Sequence, residues 1–246
     1  MNRVCGLVKR FGGLNVLEGL DLEFPTGKIT AILGPSGCGK TTLLNILAGL
    51  IPWDAGHVEL DGRISCVFQE PRLLPWLDVR RNVALVLEEK LPADGVRETV
   101  SRHLELTGMT EYAGYYPSQL SGGLKQRAAL ARAFAFPAEI LLMDEPFKSL
   151  DFQARRRLIR DFLALWRHEV RTVVFVTHDI REALWMGDVV VLLSEKPARV
   201  LREHSISIPQ EQRWGNPQIS GWEEAWLNEL SGDSQETPEG QSTGPQ

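Results

Sequence analysis

The run GPSGCGKTT at residues 34–42 decides the fold. It follows the apolar stretch KITAIL (28–33) and precedes the helix-forming TTLLNILAGL (41–50), so it joins a strand to a helix. The spacing is G-x-x-x-x-G-K-[ST]. Glycines in that pattern let backbone N–H groups curl round phosphates, and the following helix adds roughly half a positive charge at its N-terminus. Gly34, Pro35, Ser36, Gly37, Cys38 and Gly39 form the expected cradle, and Thr42 completes the nucleotide-binding set. Lys40 is expected to reach the β- and γ-phosphates of ATP, and the Thr41 hydroxyl to hold Mg²⁺. The alternative is a Gly-rich structural turn. Lys-Thr-Thr in register between strand and helix argues against it.

Working outward, the runs AEILLMDEP (138–146), RTVVFVTHD (171–179) and DVVVLLS (188–194) are apolar almost throughout, as strands covered on both faces are. Helical segments lie between them. This alternation predicts an α/β fold: a P-loop NTPase core with a mainly parallel sheet. RVCGLVKRF (3–11) and NVLEGLDLEF (15–24) predict an N-terminal antiparallel β region. From about 78 to 136 the strand signal disappears, and DVRRNVALVLEEK (78–90) and GVRETVSRHLELTG (95–108) predict helices. We read an inserted helical subdomain at roughly 72–136 within an ATPase domain spanning 1–208. In the next helix, Phe152, Leu158, Ile159, Phe162, Leu163 and Trp166 fall on one stripe and predict core packing. Ile219, Trp222, Trp226 and Leu230 recur at helical spacing, so a C-terminal helix docked on the body is expected at 209–231. The tail at 232–246, SGDSQETPEGQSTGPQ with its first residue, holds no large apolar residue and predicts disorder.

Hydrolysis needs a further metal contact and a base. The buried run ILLMDEP (140–146) ends in Asp144, which can bind Mg²⁺ or its water, and Glu145, which can orient and deprotonate an attacking water. Ligands of open α/β sheets sit at strand C-terminal ends, where this pair falls. His178 ends another apolar strand at the same rim, within reach of a γ-phosphate. Gln69 ends ISCVFQ (64–69) and can ligate Mg²⁺ or position water. Ser121 is an N-cap candidate ahead of an Arg-rich helix in LSGGLKQRAALARA (120–133), a second anion-holding stretch whose purpose the first cradle leaves open.

In chain order GPSGCGKTT, VFQEP, LSGGLKQR, LLMDEP, SLD and VTHD together resemble the nucleotide-binding subunit of an ATP-binding cassette (ABC) transporter. The resemblance covers about residues 4–201. It implies that Phe11, in KRFGG, stacks on adenine, and that Asp151, in SLD, contacts a partner subunit. It also implies that Ser121, Gly122 and Gly123 close over the γ-phosphate held by the other subunit, so that two chains bury two ATP molecules head to tail. Gln69 matches the loop whose neighbourhood receives the coupling helix of a membrane subunit. Two positions depart from the pattern: Leu124 replaces the usual Gln or Met, and Lys148 stands where a small residue is commoner.

EPRLLPWLDVRRNVAL (70–85) and LLMDEPF (141–147) are similar to ATPases of nitrate, sulfonate and taurine importers. The resemblance implies a homodimer or paired ABC subunit, integral membrane permease subunits and, indirectly, an extracytoplasmic solute-binding protein. A net charge of −5 argues against a general nucleic-acid partner, because such proteins neutralise phosphates with a basic face. MNRVCGLVKRF lacks a secretory apolar region, and no run is long enough to span a bilayer, so a cytoplasmic location, peripheral on the inner face of the membrane, is expected. Three cysteines without pattern predict free thiols. The alternative is a soluble ABC ATPase acting in cofactor assembly or nucleic-acid maintenance without a membrane partner.

Overall fold

The computed structural model describes residues 1–148 and 150–230, the last three as backbone alone. Ser149, the side chain of Leu230 and the tail at 232–246 lie outside the described residues. The chain opens with an antiparallel pair, β1 (Arg3–Phe11) and β2 (Leu14–Glu23). β3 (Ile29–Leu33) leads into α1 (Lys40–Leu47), and β4 (Ala55–Glu59) returns to pair with β1. β5 (Ile64–Val67) is followed by α2 (Val79–Ala84), α3 (Ala93–Leu106) and α4 (Gly122–Ala135), with no strand between them. The alternation then resumes with β6 (Ile140–Asp144), α5 (Phe152–His168), β7 (Thr172–Thr177), α6 (Ile180–Met186) and β8 (Val189–Leu193). β9 (Val200–Ser205) and α7 (Pro217–Leu230) close the described chain.

Two sheets result. One has the order β2-β1-β4, and the other β5-β6-β7-β3-β8-β9, parallel except for the antiparallel edge strand β9. Every residue of β3 is buried, as its unbroken apolar run requires. The period of two divides it between cores: Ile29, Ala31 and Leu33 join Phe134, Leu158, Phe162 and Trp226 on one face, while Ile32 joins Leu17, Leu20, Leu43 and Ile46 on the other. Each such side chain contributes roughly 1.5–3 kcal/mol of burial, so a slip that exposed one face would be far costlier than any single hydrogen bond.

The strand-free interval has its own core. Val79, Val83 and Leu87 meet Val100 and Leu104 of α3 and Ala128 and Ala131 of α4. The small alanines let α4 sit close to its neighbours. The helix expected over 78–90 is shorter than its pattern: α2 stops at Ala84, and the chain continues in tighter turns with Leu87 N–H donating to Ala84 O at 2.8 Å. Those turns still bury Leu87.

On α5, Leu158, Ile159, Phe162, Leu163 and Trp166 are buried as expected, but Phe152 is 51% exposed. It occupies the first helical position, beyond the end of the core, and meets Trp185 only edge-on at 6.4 Å. α7 docks on the body through buried Ile219 and Trp226, and Trp222 stands against His204 of β9 at 4.5 Å. No helix among the described residues is long and apolar enough to cross a membrane.

One acid is buried beside the β7–α6 junction. Glu182 accepts a 2.6 Å hydrogen bond from the Thr177 hydroxyl and lies 3.4 Å from Arg155 Nε. Burial pushes its pKa up to about 7; the Thr177 hydroxyl and Arg155 offset this only partly, and the carboxylates of Asp179 and Glu145 add to it. The unfolded value is near 4.5. Stability is therefore fully present below that value and falls as pH rises through about 7, by on the order of 3 kcal/mol. Chemical denaturation of wild type and Glu182→Gln should show the variant gaining on wild type by that amount between about pH 5 and pH 8. Parallel stability curves would contradict the assignment.

Candidate functional site

The site is made where parallel strands end at one level. Leu33 of β3 pairs with Thr177 of β7, Asp144 of β6 with Val176, and Val67 of β5 with Met143. The residues that follow these strands, Gly34 onward, Glu145, His178 and Gln69, therefore emerge along one edge. This is the C-terminal edge where open α/β sheets bind ligands.

The loop 34–39 needs its glycines at two points. Gly39 has φ 125°, and a Cβ there would lie 2.9 Å from Leu17 Cδ2 and 3.0 Å from Val16 Cγ1. β2 thus presses directly on the loop. Gly37 has φ 80°. Lys40 is buried at the first turn of α1, and its Nζ donates to the carbonyls of Gly34 and Pro35, both at 2.7 Å. Those bonds satisfy a buried ammonium and hold it over the loop. Cys38 is buried too, and burial raises its thiol pKa although Lys40 opposes the shift. A cavity of about 220 Å³ is lined by Gly37, Gly39, Lys40, Thr41, Thr42, Glu145 and Lys196.

The Thr41 hydroxyl donates to Asp144 Oδ1 at 3.2 Å. The two hard oxygen donors come from separate elements, and Mg²⁺ typically takes one or two protein oxygens beside phosphates and waters, so the residues fit that ion. Burial raises the pKa of Asp144; the Thr41 hydroxyl opposes the shift and the Glu145 carboxylate adds to it.

Glu145 holds a left-handed backbone at φ 41°, a conformation that costs a non-glycine residue roughly 1–3 kcal/mol. Its N–H donates to Val176 O at 3.0 Å, which anchors the turn to β7. Its Oε2 lies 3.2 Å from His178 Nδ1 and 2.6 Å from Lys148 Nζ. Burial raises the pKa of Glu145, but Lys148 and His178 outweigh it and hold the carboxyl below its ordinary value. The carboxylate is therefore ionised at neutral pH and can accept a proton.

His178 is set by its neighbours: Asp179 caps α6 by accepting from the N–H groups of Arg181 and Glu182, and it also pairs with Arg155. Arg155 donates in addition to Leu150 O at 3.3 Å, linking the turn after Glu145 to the turn of His178. The structure thus gathers Lys40, Thr41, Thr42, Asp144, Glu145 and His178. Phe11 ends β1, half exposed, on the ribbon whose Val16 and Leu17 touch Gly39. Gln69 is exposed just beyond β5.

Other expected residues stand apart. Ser121 caps α4, its Oγ accepting from Leu124 N–H at 3.4 Å, and neither it, Gly122 nor Gly123 lines the P-loop cavity. Asp151 caps α5 by accepting from the N–H groups of Gln153 and Ala154, each at 2.9 Å, a structural task its position in SLD did not announce. Lys196 was not anticipated. It lies in the β8–β9 loop, which reaches the phosphate loop because β8 pairs with β3, and Leu193 O lies 3.2 Å from where a Gly34 Cβ would stand. No local pattern in SEKPAR (194–199) signals that contact. A roomier cleft of about 660 Å³ opens at the N-terminal ends of the strands, but it lacks a phosphate-cradling loop, and two of its three acids, Glu139 and Glu169, are paired with arginines.

Comparison with known proteins agrees with this geometry. The family described as ABC transporter matches residues 17–148. The chain is 42% identical over 211 residues to the aliphatic sulfonates import ATP-binding protein SsuB 1 of Pseudomonas fluorescens, an overlap of 86% of this chain and 79% of that one. It is 44% identical over 208 residues to the protein named SsuB of Granulibacter bethesdensis, covering 85% of each. Among solved structures, a bacterial ABC transporter cassette determined as a dimer superposes with a TM-score of 0.74 at 30% identity, over 85% of this chain and all of that one. The same cassette in a post-hydrolysis state bound to ADP and Pi superposes with a TM-score of 0.74 at 29% identity. With the phosphate loop, the acid pair and the histidine on one sheet edge, this chain belongs to the ABC transporter family, as an ATPase cassette.

Proposed function

We propose that the chain binds Mg-ATP in its P-loop, hydrolyses it within a head-to-tail pair of cassettes, and so powers an importer of small anionic organic solutes of the sulfonate kind. The observation that carries the chemical part is the convergence of Lys40, Thr41, Asp144, Glu145 and His178 on one cavity edge. The names of the relatives support the importer and its solute class.

In this reading Gly34, Pro35, Ser36, Gly37, Cys38 and Gly39 cradle the phosphates, with Thr42 beside them and Phe11 on the adenine. Lys40 exchanges the carbonyls of Gly34 and Pro35 for phosphate oxygens. Thr41, Asp144 and Gln69 would hold Mg²⁺, which supplies charge neutralisation to the phosphates when bound. Glu145 takes the proton of the attacking water, and His178 contacts the γ-phosphate and steadies the Glu145 carboxylate. Ser121, Gly122 and Gly123 serve the nucleotide of the other subunit, with Asp151 at the dimer contact. Their separation from the P-loop cavity within one chain is what a trans role requires.

We further assign residues 1–208 to the cassette, with its helical part at about 72–136, followed by a C-terminal segment whose helix is α7, beginning at Pro217 and not at 209. Membrane permease subunits would meet the segment 71–77. Trp76 there is 68% exposed, and Leu73, Leu74 and Leu77 are partly exposed. An apolar surface of this kind beside Gln69 suits an amphipathic helix from a membrane partner. The chain would then lie peripherally on the cytoplasmic face, with a solute-binding protein acting through the permease.

Glu145→Gln keeps the shape of the side chain and removes its basicity. The variant should bind ATP normally, lose turnover by roughly 100-fold or more, and accumulate as an ATP-bound dimer in light scattering. Hydrolysis at the wild-type rate would remove Glu145 from the role of base. Mild detergent extraction of the native cell membrane should recover the chain with integral membrane proteins, in a complex whose reconstituted ATPase rises with an alkanesulfonate and its binding protein. Recovery only in a soluble complex would overturn the transporter reading.

A further inference from the structure

Lys148 stands between the acid pair and the loop that precedes α5, and it does more there than add surface charge. Its Nζ lies 2.6 Å from Glu145 Oε2, the oxygen that His178 Nδ1 approaches at 3.2 Å. The contact is built into the backbone. Lys148 N–H donates to Glu145 O at 3.2 Å, so the two side chains leave one tight turn on the same side. The Glu145 side chain is nearly enclosed, whereas that of Lys148 is 42% exposed, so the ammonium covers the carboxylate from the solvent side. The contact is one of charge, since Oε2 is buried and accepts no hydrogen bond.

Resting on the reading of Glu145 as the base, we propose that Lys148 is a positioning residue that restrains it, holding Oε2 in an ion pair.

The test is steady-state ATPase activity of the full chain as wild type, Lys148→Ala, Lys148→Arg and Glu145→Gln. Lys148→Ala should raise kcat roughly two- to fivefold, the range a partly exposed ion pair supports. KM for ATP should not change, because Lys148 does not line the P-loop cavity. Lys148→Arg should restore the low rate, since a guanidinium can make the same pair. A purely structural role predicts the opposite, a lower kcat with a raised KM. The proposal is overturned if Lys148→Ala is no faster than wild type, or if Lys148→Arg behaves as Lys148→Ala. An inactive Glu145→Gln beside an unaccelerated Lys148→Ala sinks the restraint alone; an active Glu145→Gln sinks the reading of the base as well.

Discussion

The parallel pairing of β3 with β7, and of β7 with β6, is the constraint on which the rest of the molecule depends. Leu33 opposite Thr177, and Asp144 opposite Val176, bring three strand ends to one level. Because side chains alternate along a strand, a slip of one residue would turn Asp144 to the other face and separate it from Thr41. The register is held by apolar burial on both faces, with Ala31 and Leu33 in one core and Ile32 in the other. The antiparallel sheet adds a second restraint, since Val16 and Leu17 leave Gly39 no room for a side chain. The phosphate loop is clamped from the side as well as from below.

This scaffold tolerates unfavourable features where the chemistry sits. Glu145 keeps a left-handed backbone, and two carboxylates stand adjacent in chain at a partly buried edge. Thr41 donates to one carboxylate, and Lys148 and His178 both stand against Oε2 of the other. The buried ammonium of Lys40 is likewise held by two loop carbonyls. Charge is therefore arranged around the cavity in advance, as rapid phosphoryl chemistry requires.

Much of this was legible in the sequence because the relevant signals are local. GPSGCGKTT announces a strand-to-helix turn by its glycines and its Lys-Thr-Thr, and the buried strands announce themselves by unbroken β-branched runs. What depends on pairing between distant segments was not legible. Lys196 reaches the P-loop only because β8 lies beside β3, and Lys148 meets Glu145 only through the geometry of one strained turn. Phe152 fits the apolar stripe of α5 by spacing, yet it sits one turn past the core and stays exposed. Asp151 was read for a partner, while its carboxylate is engaged in capping α5.

On the proposed function, one chain holds half of each catalytic site, the P-loop with its acids in one place and the LSGG stretch in another. Specific ATPase activity measured against protein concentration at saturating Mg-ATP tests this most directly. Activity per chain should rise with concentration and level off as dimers fill. Activity per chain that is constant down to concentrations where light scattering shows only monomer would contradict the claim.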